Sequence, residues 1–336
     1  MSRITVLGSG AWGTALALSL SSRGTHEVTL WSHRAEASEE LGRDRENLHF
    51  LPGFRFPDSL RVTADDAFAV SEADILVCVV PSEFLRTMMI RLAPHFRAGQ
   101  ILVSATKGLE DHSFLRMTEV IRDCVGRAGL ELPAGALSGP SFAQEVAAGM
   151  PTALTVAFND ATVATLIQRE FSSSSLRLYT NNDVIGVEMG GALKNVIAIA
   201  AGTLSGLGLG LNSSAALITR GIAEITRLAV AAGGQRETLA GLSGIGDLVL
   251  TCTGSLSRNR TVGFELGRGR KLPEILAGLD GKVAEGVRTT QAALGLARKL
   301  GVEMPITEQI ELVLDAGKDP KAAIRDLMLR PGRDED

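Results

Sequence analysis

The sequence predicts two domains, an α/β domain with a mostly parallel sheet followed by an all-α domain. The chain has 336 residues, which is longer than a domain built around a single hydrophobic core usually is. Short apolar runs alternate with helical patterns up to residue 181, as they do in βαβ units. Beyond that point strand patterns largely vanish and long helical patterns replace them. We therefore place the domains at residues 1–182 and 183–336.

The first strand leads directly into a glycine motif. Residues 4–7 are apolar and of strand length, and Gly8, Gly10 and Gly13 follow in G-x-G-x-x-G spacing before an Ala- and Leu-rich helix over 14–21. In a Rossmann-type domain these glycines permit a sharp turn, close approach of the backbone to a pyrophosphate, and close helix–strand packing. The motif predicts dinucleotide binding, with an ordinary tight turn as the alternative.

The remaining elements follow in chain order. In the first domain we predict strands over 28–31, 74–80, 100–105, 136–137, 152–158 and 176–179, with helices over 83–92 and 114–124 and a helix-and-loop segment over 34–47. In the second domain we predict helices over 183–201, 213–232, 283–300 and 305–316, with 202–211 as a connection. Parallel strands end at one edge of a sheet, so Lys107, residues 138–141 and the Gly8 loop are expected at that edge.

Composition excludes several function classes. The net charge of −4 and an aromatic content of 4% argue against nucleic-acid binding. Cys78, Cys124 and Cys252 lie far apart in apolar or helical surroundings, so we expect reduced core thiols and no metal site. The N-terminal residues lead into a predicted strand and lack the cationic segment of a signal peptide. No stretch of the sequence has the pattern of a membrane span. We therefore expect a soluble, cytoplasmic protein.

The residues after the second strand indicate the coenzyme. NAD-preferring domains place an acid about twenty residues after the glycines, where it binds the ribose hydroxyls. Here Trp31 is followed by Ser32, His33 and Arg34, with no acid. A cationic pair accommodates a 2′-phosphate, so the sequence favours NADP(H) over NAD(H).

Lys194 is the most unusual residue in the chain. It is the only charged side chain between Met189 and Thr219, on a helix that is apolar nearly all round and is therefore expected to be buried. Burial lowers the pKa of an ammonium, which suits proton transfer. Gly190 and Gly191 in the same helix suggest that another segment packs closely there. The alternative is a lysine whose stem is buried and whose head reaches solvent.

Three further sites have two interpretations each. Ser257 can cap the helix that begins near Arg258, and Arg258 can bind a phosphate or carboxylate or remain solvated. Asp247, in an apolar glycine-bearing turn, can hold a lysine or a substrate hydroxyl, although taken alone helix capping is the favoured interpretation. Glu285 has the same ambiguity before a helix expected at Val287.

Taken together, these motifs resemble the bacterial NAD(P)-dependent glycerol-3-phosphate dehydrogenases. The resemblance runs in order over nearly the whole chain, and its most specific block is Gly-Ala-Leu-Lys-Asn at 191–195. It rests on these segments: Gly8-Ser-Gly-Ala-Trp-Gly13, Lys107-Gly108, Ser138-Gly-Pro-Ser141, Gly191-Ala-Leu-Lys-Asn195, Gly244-Ile-Gly-Asp247 and Ser257-Arg-Asn259. Ala11 stands where such proteins often carry serine, which leaves only a backbone N–H for a cofactor contact there.

The resemblance implies roles residue by residue. Lys194 would be the proton donor or acceptor at the carbonyl oxygen, Lys107 would assist at the substrate, and Asp247 and Asn195 would orient the site. Residues implied to hold glycerol phosphate are Lys107, Gly139, Ser141, Lys194, Asp247, Ser257, Arg258 and Asn259. Residues implied to line the cofactor site are Gly8, Gly10, Trp12, Gly13, His33, Arg34, Lys107, Ala143, Arg258, Val283 and Glu285.

The implied reaction is reversible hydride transfer between NAD(P)H and C2 of dihydroxyacetone phosphate, which supplies sn-glycerol 3-phosphate for phospholipid synthesis. Homodimer assembly is compatible with this reading. Two alternatives remain: a β-hydroxyacid dehydrogenase, which needs a carboxylate site, and a redox-sensing NAD(P)-binding module. A buried Lys194 argues against the sensor, because a sensor needs no proton donor.

Overall fold

Strands and helices alternate through the first half of the chain, as the periodicity of the sequence predicts. The computed structural model describes residues 1–279, 283–332, 334 and 335. They fall into two units. Unit 1 comprises Met1–Glu110 and Leu115–Glu188, and unit 2 comprises Asp111–Phe114 and Met189–Asp336.

Unit 1 is an α/β domain. Its elements are β1 (Ser2–Leu7), α1 (Ala11–Ser21), β2 (His26–Trp31), α2 (Ala35–Asp44), β3 (Glu46–Asn47), β4 (Leu51–Arg55), β5 (Arg61–Thr63), α3 (Asp66–Ser71), β6 (Ile75–Cys78), α4 (Ser82–Leu92), β7 (Ile101–Ser104), α5 (Met117–Arg127), β8 (Ala134–Ser138), α6 (Ala143–Ala147), β9 (Thr152–Ala157), α7 (Ala161–Phe171) and β10 (Leu176–Asn181). A 3-10 turn, Ala93–His95, follows α4.

One eight-stranded sheet organises this unit, in the order β10-β9-β8-β7-β6-β1-β2-β5. All neighbouring strands pair parallel except β8 and β9, and β3 and β4 form a separate antiparallel ribbon. The prediction of a mostly parallel sheet is confirmed. Because β1, β7 and β8 run in one direction, the Gly8 loop, Lys107 and residues 138–141 all follow strand ends at one edge, as expected.

Helices cover both faces of the sheet. Along β1, Ile4 and Val6 belong to one buried cluster, with side chains of α1 and α7, whereas Leu7 belongs to a second, with side chains of α3, α4 and α5. A strand buried on both faces is apolar at nearly every position. This explains why residues 75–80 and 101–103 are continuous apolar runs rather than alternating ones.

Unit 2 is helical in its described residues. The long helix α8 (Val184–Gly206) begins at the end of unit 1, and the remaining helices are α9 (Leu211–Ala231), α10 (Arg236–Leu239), α11 (Asp247–Thr253), α12 (Arg258–Gly267), α13 (Leu272–Ala277), α14 (Glu285–Leu300), α15 (Pro305–Asp315) and α16 (Pro320–Met328). A π-helical turn, Leu242–Gly246, precedes α11. The described residues contain no strand after Asn181, so the predicted change of architecture is confirmed.

The predicted connection over 202–211 is wrong. Helix α8 continues through Gly202 to Gly206, and only residues 207–210 join it to α9. The glycines do not break the helix because they let it cross α12 at backbone contact. A Cβ at Gly202 would lie 2.0 Å from the Arg260 carbonyl oxygen, and a Cβ at Gly206 would lie 2.2 Å from that of Phe264.

The helix predicted over 114–124 begins three residues later, at Met117. Phe114 has a φ of +61°, which is incompatible with a helix, and its ring lies against α14. A Cβ at Gly295 would lie 2.2 Å from that ring, so the glycine makes room for it. Tertiary packing therefore fixes this helix start.

Helix α8 is long and apolar enough to cross a membrane by length and composition alone, and the bent pair Arg236–Thr253 and Arg258–Gly267 passes the same test together. Of the most apolar window of α8, 94% is buried inside the fold. This is the pattern of a core helix. The three cysteines are free and buried, as predicted, and burial raises the pKa of Cys78 and Cys252 to about 12.

Candidate active site

The glycine motif forms a tight turn between β1 and α1. Gly8 has a φ of +125°, and a Cβ there would lie 2.3 Å from the Val79 carbonyl oxygen. A Cβ at Gly13 would lie 1.9 Å from the Gly8 carbonyl oxygen. A Cβ at Gly10 would have no atom of the described residues within 4 Å, apart from its chain neighbours and the backbone of its own helix. The outer glycines are therefore required by the turn and by packing, whereas the middle one leaves open space beside the helix start.

This helix start suits a pyrophosphate. Gly10 is the N-cap residue of α1, it makes no side-chain capping bond, and the first turn contains no acid. The first N–H groups of a helix lack intrahelical partners and attract anions. Trp12 adds a buried indole Nε1 that has no hydrogen-bond partner in the described part of the chain. The residues present therefore fit a dinucleotide.

The segment after β2 carries the cationic pair. His33 and Arg34 are exposed, and Arg34 is the N-cap residue of α2 without a side-chain capping bond. Partial burial, Arg34 and Arg91 lower the pKa of His33, in that order of effect. At neutral pH the positive charge of this pair is therefore carried by Arg34.

Lys107, Gly139 and Ser141 lie together at the carboxyl ends of β7 and β8. The Lys107 Nζ donates to the Gly139 carbonyl oxygen at 3.2 Å, and the Ser141 Oγ donates to the same oxygen at 3.1 Å. Gly139 has a φ of +138°, which favours glycine. Ala143 begins α6 immediately afterwards.

In unit 2, Lys194 is buried with its charged end inside the fold. The residue is 7% exposed. Its Nζ donates to Oδ1 of Asp247, which is fully buried, and to Oγ1 of Thr251 at 2.9 Å. The expectation of burial is confirmed, and the interpretation of a lysine head reaching solvent is wrong. The carboxylate stabilises the ammonium in a place where water cannot.

The favoured capping interpretation of Asp247 is wrong. Asp247 lies in the first turn of α11 and its carboxylate faces Lys194, while the N-cap residue Gly246 makes no side-chain capping bond. Thr251 is a partner of Lys194 that no sequence motif indicated. Its position four residues after Asp247, on the same helix face, is the signal that could have identified it. Thr251 Oγ1 also donates to the Asp247 carbonyl oxygen at 2.6 Å.

A glycine contact brings Asp247 to Lys194. A Cβ at Gly190 would lie 2.4 Å from the Ser243 carbonyl oxygen, so α8 lies directly on the π-helical turn that precedes α11. The close approach inferred from Gly190 and Gly191 is therefore present at Gly190. Its partner is a later segment of the same chain.

Asn195, beside Lys194, belongs to a chain of amides. The Gly286 backbone N–H donates to the Asn259 Oδ1 at 2.9 Å, and the Asn259 Nδ2 donates to the Asn195 Oδ1 at 3.0 Å. The Asn195 Nδ2 is buried and has no hydrogen-bond partner in the described part of the chain. The fixed direction of this chain leaves the buried amide donor of Asn195, the residue that follows Lys194 in α8, without a partner among the described residues.

The start of α12 combines a cap with an exposed cation. The Ser257 Oγ accepts from the Arg260 backbone N–H at 3.2 Å, so the predicted cap is confirmed, while Arg258 is exposed. Glu285 lies in the first turn of α14, directly after Val283 and Ala284, and the described contacts show no capping by its side chain. Helix α14 begins at Glu285, two residues before the expected Val287.

Comparison with known proteins agrees with these motifs. The family model described as NAD-dependent glycerol-3-phosphate dehydrogenase N-terminus matches residues 3–164, and the corresponding C-terminus model matches residues 183–325. Proteins of Acidobacterium capsulatum and Koribacter versatilis, both named glycerol-3-phosphate dehydrogenase [NAD(P)+], are 62% and 56% identical over 100% of this chain and at least 99% of their own.

Among solved structures, the glycerol-3-phosphate dehydrogenase of Coxiella burnetii superimposes with a TM-score of 0.93 at 39% identity, over 98% of this chain and 99% of its own. A ketopantoate reductase of Ralstonia eutropha, at 16% identity and a TM-score of 0.58, shares the fold alone. The two family models between them span both units. The chain belongs to the NAD-dependent glycerol-3-phosphate dehydrogenase family.

Proposed function

We propose that this chain interconverts dihydroxyacetone phosphate and sn-glycerol 3-phosphate, and thereby supplies glycerol 3-phosphate for phospholipid synthesis. It is an oxidoreductase that uses NAD or NADP. The observation that carries this proposal is the buried group of Lys194, Asp247 and Thr251, within a chain whose full length matches the family. A proton donor held inside an apolar helical unit is what carbonyl reduction requires.

The bound nicotinamide supplies the hydride. We propose that residues 1–182 hold the dinucleotide and that residues 183–336 supply the main substrate and proton-transfer groups. The pyrophosphate is held at the start of α1 by Gly8, Gly10, Trp12 and Gly13. His33 and Arg34 bind the 2′-phosphate, which makes NADPH the favoured coenzyme. The other proposed coenzyme contacts are Lys107, Ala143, Arg258, Val283 and Glu285.

Lys194 moves the proton. In reduction its ammonium donates a proton to the oxygen at C2 as negative charge develops there, and in oxidation the amine accepts it back. Asp247 holds the ammonium in one orientation and stabilises its charge. The Asn195 Nδ2 offers a further donor beside it, and we propose that Lys107 assists at the substrate.

The substrate phosphate needs donors from several places. Gly139 and Ser141 lie at the Lys107 edge of unit 1, and Ser257, Arg258 and Asn259 lie at the start of α12 in unit 2. We propose that both sets bind glycerol phosphate. Arg258 is suited to a phosphate because its guanidinium presents several donors in a fixed plane.

A substrate panel tests the proposal. NADPH oxidation by the purified protein is followed with dihydroxyacetone phosphate, dihydroxyacetone and small β- and α-keto acids, and the product is identified as the sn-3 enantiomer. We expect turnover with the phosphorylated ketone and little with the others. Turnover of a keto acid without turnover of dihydroxyacetone phosphate would contradict the proposal.

We further propose that the enzyme works in the cytoplasm as a homodimer. The measurement for assembly is sedimentation equilibrium at several protein concentrations, and a single species at 35.4 kDa would contradict the dimer. Cell fractionation tests the location.

A further inference from the structure

The carbonyl oxygen of His33 is held by an arginine from a distant part of unit 1. Arg91, near the end of α4, donates from Nη1 to this oxygen at 3.0 Å. The same guanidinium donates from Nε and Nη2 to the two carboxylate oxygens of Asp66, at 2.6 and 2.8 Å. One rigid planar group therefore joins a carboxylate to the backbone of the segment that follows β2.

Trp31 completes the support. Its indole is buried, its Nε1 donates to the Asp66 Oδ1 at 3.0 Å, and the Arg91 guanidinium carbon lies 5.3 Å from its ring centre. Asp66 thus receives three hydrogen bonds, and Arg91 is fixed by a carboxylate, a carbonyl and an aromatic face. Little rotational freedom remains to such a guanidinium.

These contacts fix the peptide between His33 and Arg34. The preceding residue is already held, because the Ser32 backbone N–H donates to the Thr63 carbonyl oxygen at 3.0 Å. We propose that Arg91 is a positioning residue for coenzyme selection: it holds the His33 carbonyl so that the Arg34 side chain meets the 2′-phosphate. This inference rests on the proposed role of His33 and Arg34.

The same contacts engage the carboxylate of Asp66, an acid that lies near His33 in the fold although the two are far apart in the sequence. An acid beside the end of the second strand binds ribose hydroxyls and repels a 2′-phosphate. Asp66 comes close to this segment through the fold, since one guanidinium touches both Asp66 and the His33 carbonyl. Arg91 and Trp31 engage both of its carboxylate oxygens. Arg91 therefore favours binding of the 2′-phosphate in two ways. It fixes the His33 carbonyl, and it neutralises the Asp66 carboxylate.

The test measures binding of two ligands that differ only in the 2′-phosphate. Adenosine 2′,5′-bisphosphate and 5′-AMP are titrated by calorimetry into wild type, Arg91→Gln, Arg91→Lys and Arg34→Ala. The matched control is Arg97→Gln. Arg97 likewise pairs with a carboxylate, that of Asp74, and with main-chain carbonyls, but it does so beside the amino ends of β1 and β6.

We expect Arg91→Lys to bind the bisphosphate about tenfold more weakly, because the lost contact to the His33 carbonyl is worth about one hydrogen bond. Arg91→Gln should bind it more weakly still, because it also leaves the Asp66 charge without its partner. Both variants should bind 5′-AMP within about twofold of wild type. Arg97→Gln should match wild type for both ligands. Lysine keeps the charge but cannot bridge Asp66 and the carbonyl. Full bisphosphate affinity in Arg91→Lys would therefore overturn the positioning role, and so would equal weakening of both ligands or no weakening.

The Arg34→Ala variant distinguishes failure of the role inferred for Arg91 from failure of the 2′-phosphate site proposed at Arg34. If Arg34→Ala retains the wild-type ratio of bisphosphate to 5′-AMP affinity, the phosphate site at Arg34 is wrong. If Arg34→Ala loses that ratio while Arg91→Gln keeps it, only the role of Arg91 falls. Circular dichroism and thermal melting of each variant confirm that the comparison is between folded proteins.

Discussion

The proposed role of Lys194 in proton transfer rests on the burial of its charge in apolar surroundings. The helix that carries it is apolar nearly all round, and its ammonium is accommodated only through Asp247 and Thr251. Burying an ammonium without such partners would cost several kcal/mol. A buried ion pair adds little to stability over well-packed apolar side chains, so the presence of this pair favours a role in proton transfer.

Lys194→Met is therefore expected to reduce the turnover number by roughly 10²- to 10⁴-fold, the range for lost general acid–base catalysis. Coenzyme affinity, measured by fluorescence titration, should hardly change. The exposed Lys299→Met on α14 is the matched control and should keep normal turnover. A folded Lys194→Met protein with near-normal turnover would refute the catalytic role. Because the mutation leaves Asp247 buried without its partner, Lys194→Met combined with Asp247→Asn provides a second, charge-balanced test.

Arg258, at the start of α12, is proposed to bind the substrate phosphate. Arg258→Ala is expected to lower kcat/KM for dihydroxyacetone phosphate about ten- to a hundredfold, the worth of a charge-assisted contact to phosphate. Any weak activity on unphosphorylated dihydroxyacetone should fall far less. Arg268→Ala, at the other end of the same helix, is the control. Equal losses on both substrates would make Arg258 a structural or coenzyme residue instead.

At the scale of elements, glycines decide how the helices of unit 2 pack. Gly202 and Gly206 on α8 meet Gly263 and Gly267 on α12, each close to a backbone carbonyl of the other helix. A Cβ at Gly263 would lie 1.9 Å from the Ile199 carbonyl oxygen. Backbone is rigid there, so the helices would have to separate.

Gly263→Ala is expected to lower the free energy of unfolding by about 3 kcal/mol or more, since the overlap involves backbone on both sides. The KM for dihydroxyacetone phosphate should rise as well, because α12 begins with Arg258 and Asn259. Urea unfolding and steady-state kinetics measure the two effects. Gly42→Ala, in α2 with nothing within 4 Å, should instead stabilise by about 0.5–1 kcal/mol. Equal stability of the two alanine variants would contradict this account.

The same elements show what the sequence could predict. The glycine motif, the continuous apolar strands and the isolated Lys194 are local signals, and each appears in the structure where its pattern placed it. The extent of α8 and the start of α5 are not local. Gly202 remains helical because of α12, and Phe114 leaves the helix because of Gly295. A single sequence shows the glycines but not the segment that packs on them.

The candidate site likewise contains residues that the sequence could identify and residues that it could not. The lysine was identifiable from its apolar surroundings, and its partner was ambiguous because Asp247 is also a good helix-capping residue. The spacing of Thr251 from Asp247 was a weak signal, and Arg91 carried none. Both contact residues more than fifty positions away, Lys194 and His33 respectively. Such partners become visible only when the fold brings the segments together.

On the scale of the whole molecule, each unit contains a buried glutamate that binds the start of a helix on another segment. Glu188 accepts from the Thr118 backbone N–H in α5 at 2.8 Å, and Glu224 accepts from the Thr307 backbone N–H in α15 at 2.9 Å. Burial is the main influence on both carboxyls and raises their pKa. The charge of Arg116 and hydrogen bonds offset part of the effect at Glu188, and hydrogen bonds do so at Glu224. The two groups give the stability of the protein a defined dependence on pH.

The sign follows from the direction of the shift. A carboxyl with a raised pKa in the folded state binds its proton more tightly there than in the unfolded chain. Its contribution to stability is fully present below the unfolded pKa of about 4.5 and is lost as pH rises through the folded value. Half-exposed carboxyls with a lowered pKa, such as that of Asp74, have the opposite effect, because their contribution to stability is lost as pH falls below 4. Solvent screening weakens this contribution.

Glu224→Gln tests this argument, because glutamine keeps the shape and one acceptor but does not titrate. The free energy of unfolding of wild type minus that of the variant should decrease as pH rises from 4.5, by at most about 1.4 kcal/mol per pH unit. Urea unfolding at half-unit pH intervals provides the measurement. The exposed Glu308→Gln, also associated with α15, controls for the loss of a carboxyl at this helix. The Glu224 carboxylate accepts from the backbone N–H groups of Ile306 and Thr307, each at 2.9 Å. A difference that increases with pH would mean that these bonds outweigh burial and that the pKa of Glu224 is lowered.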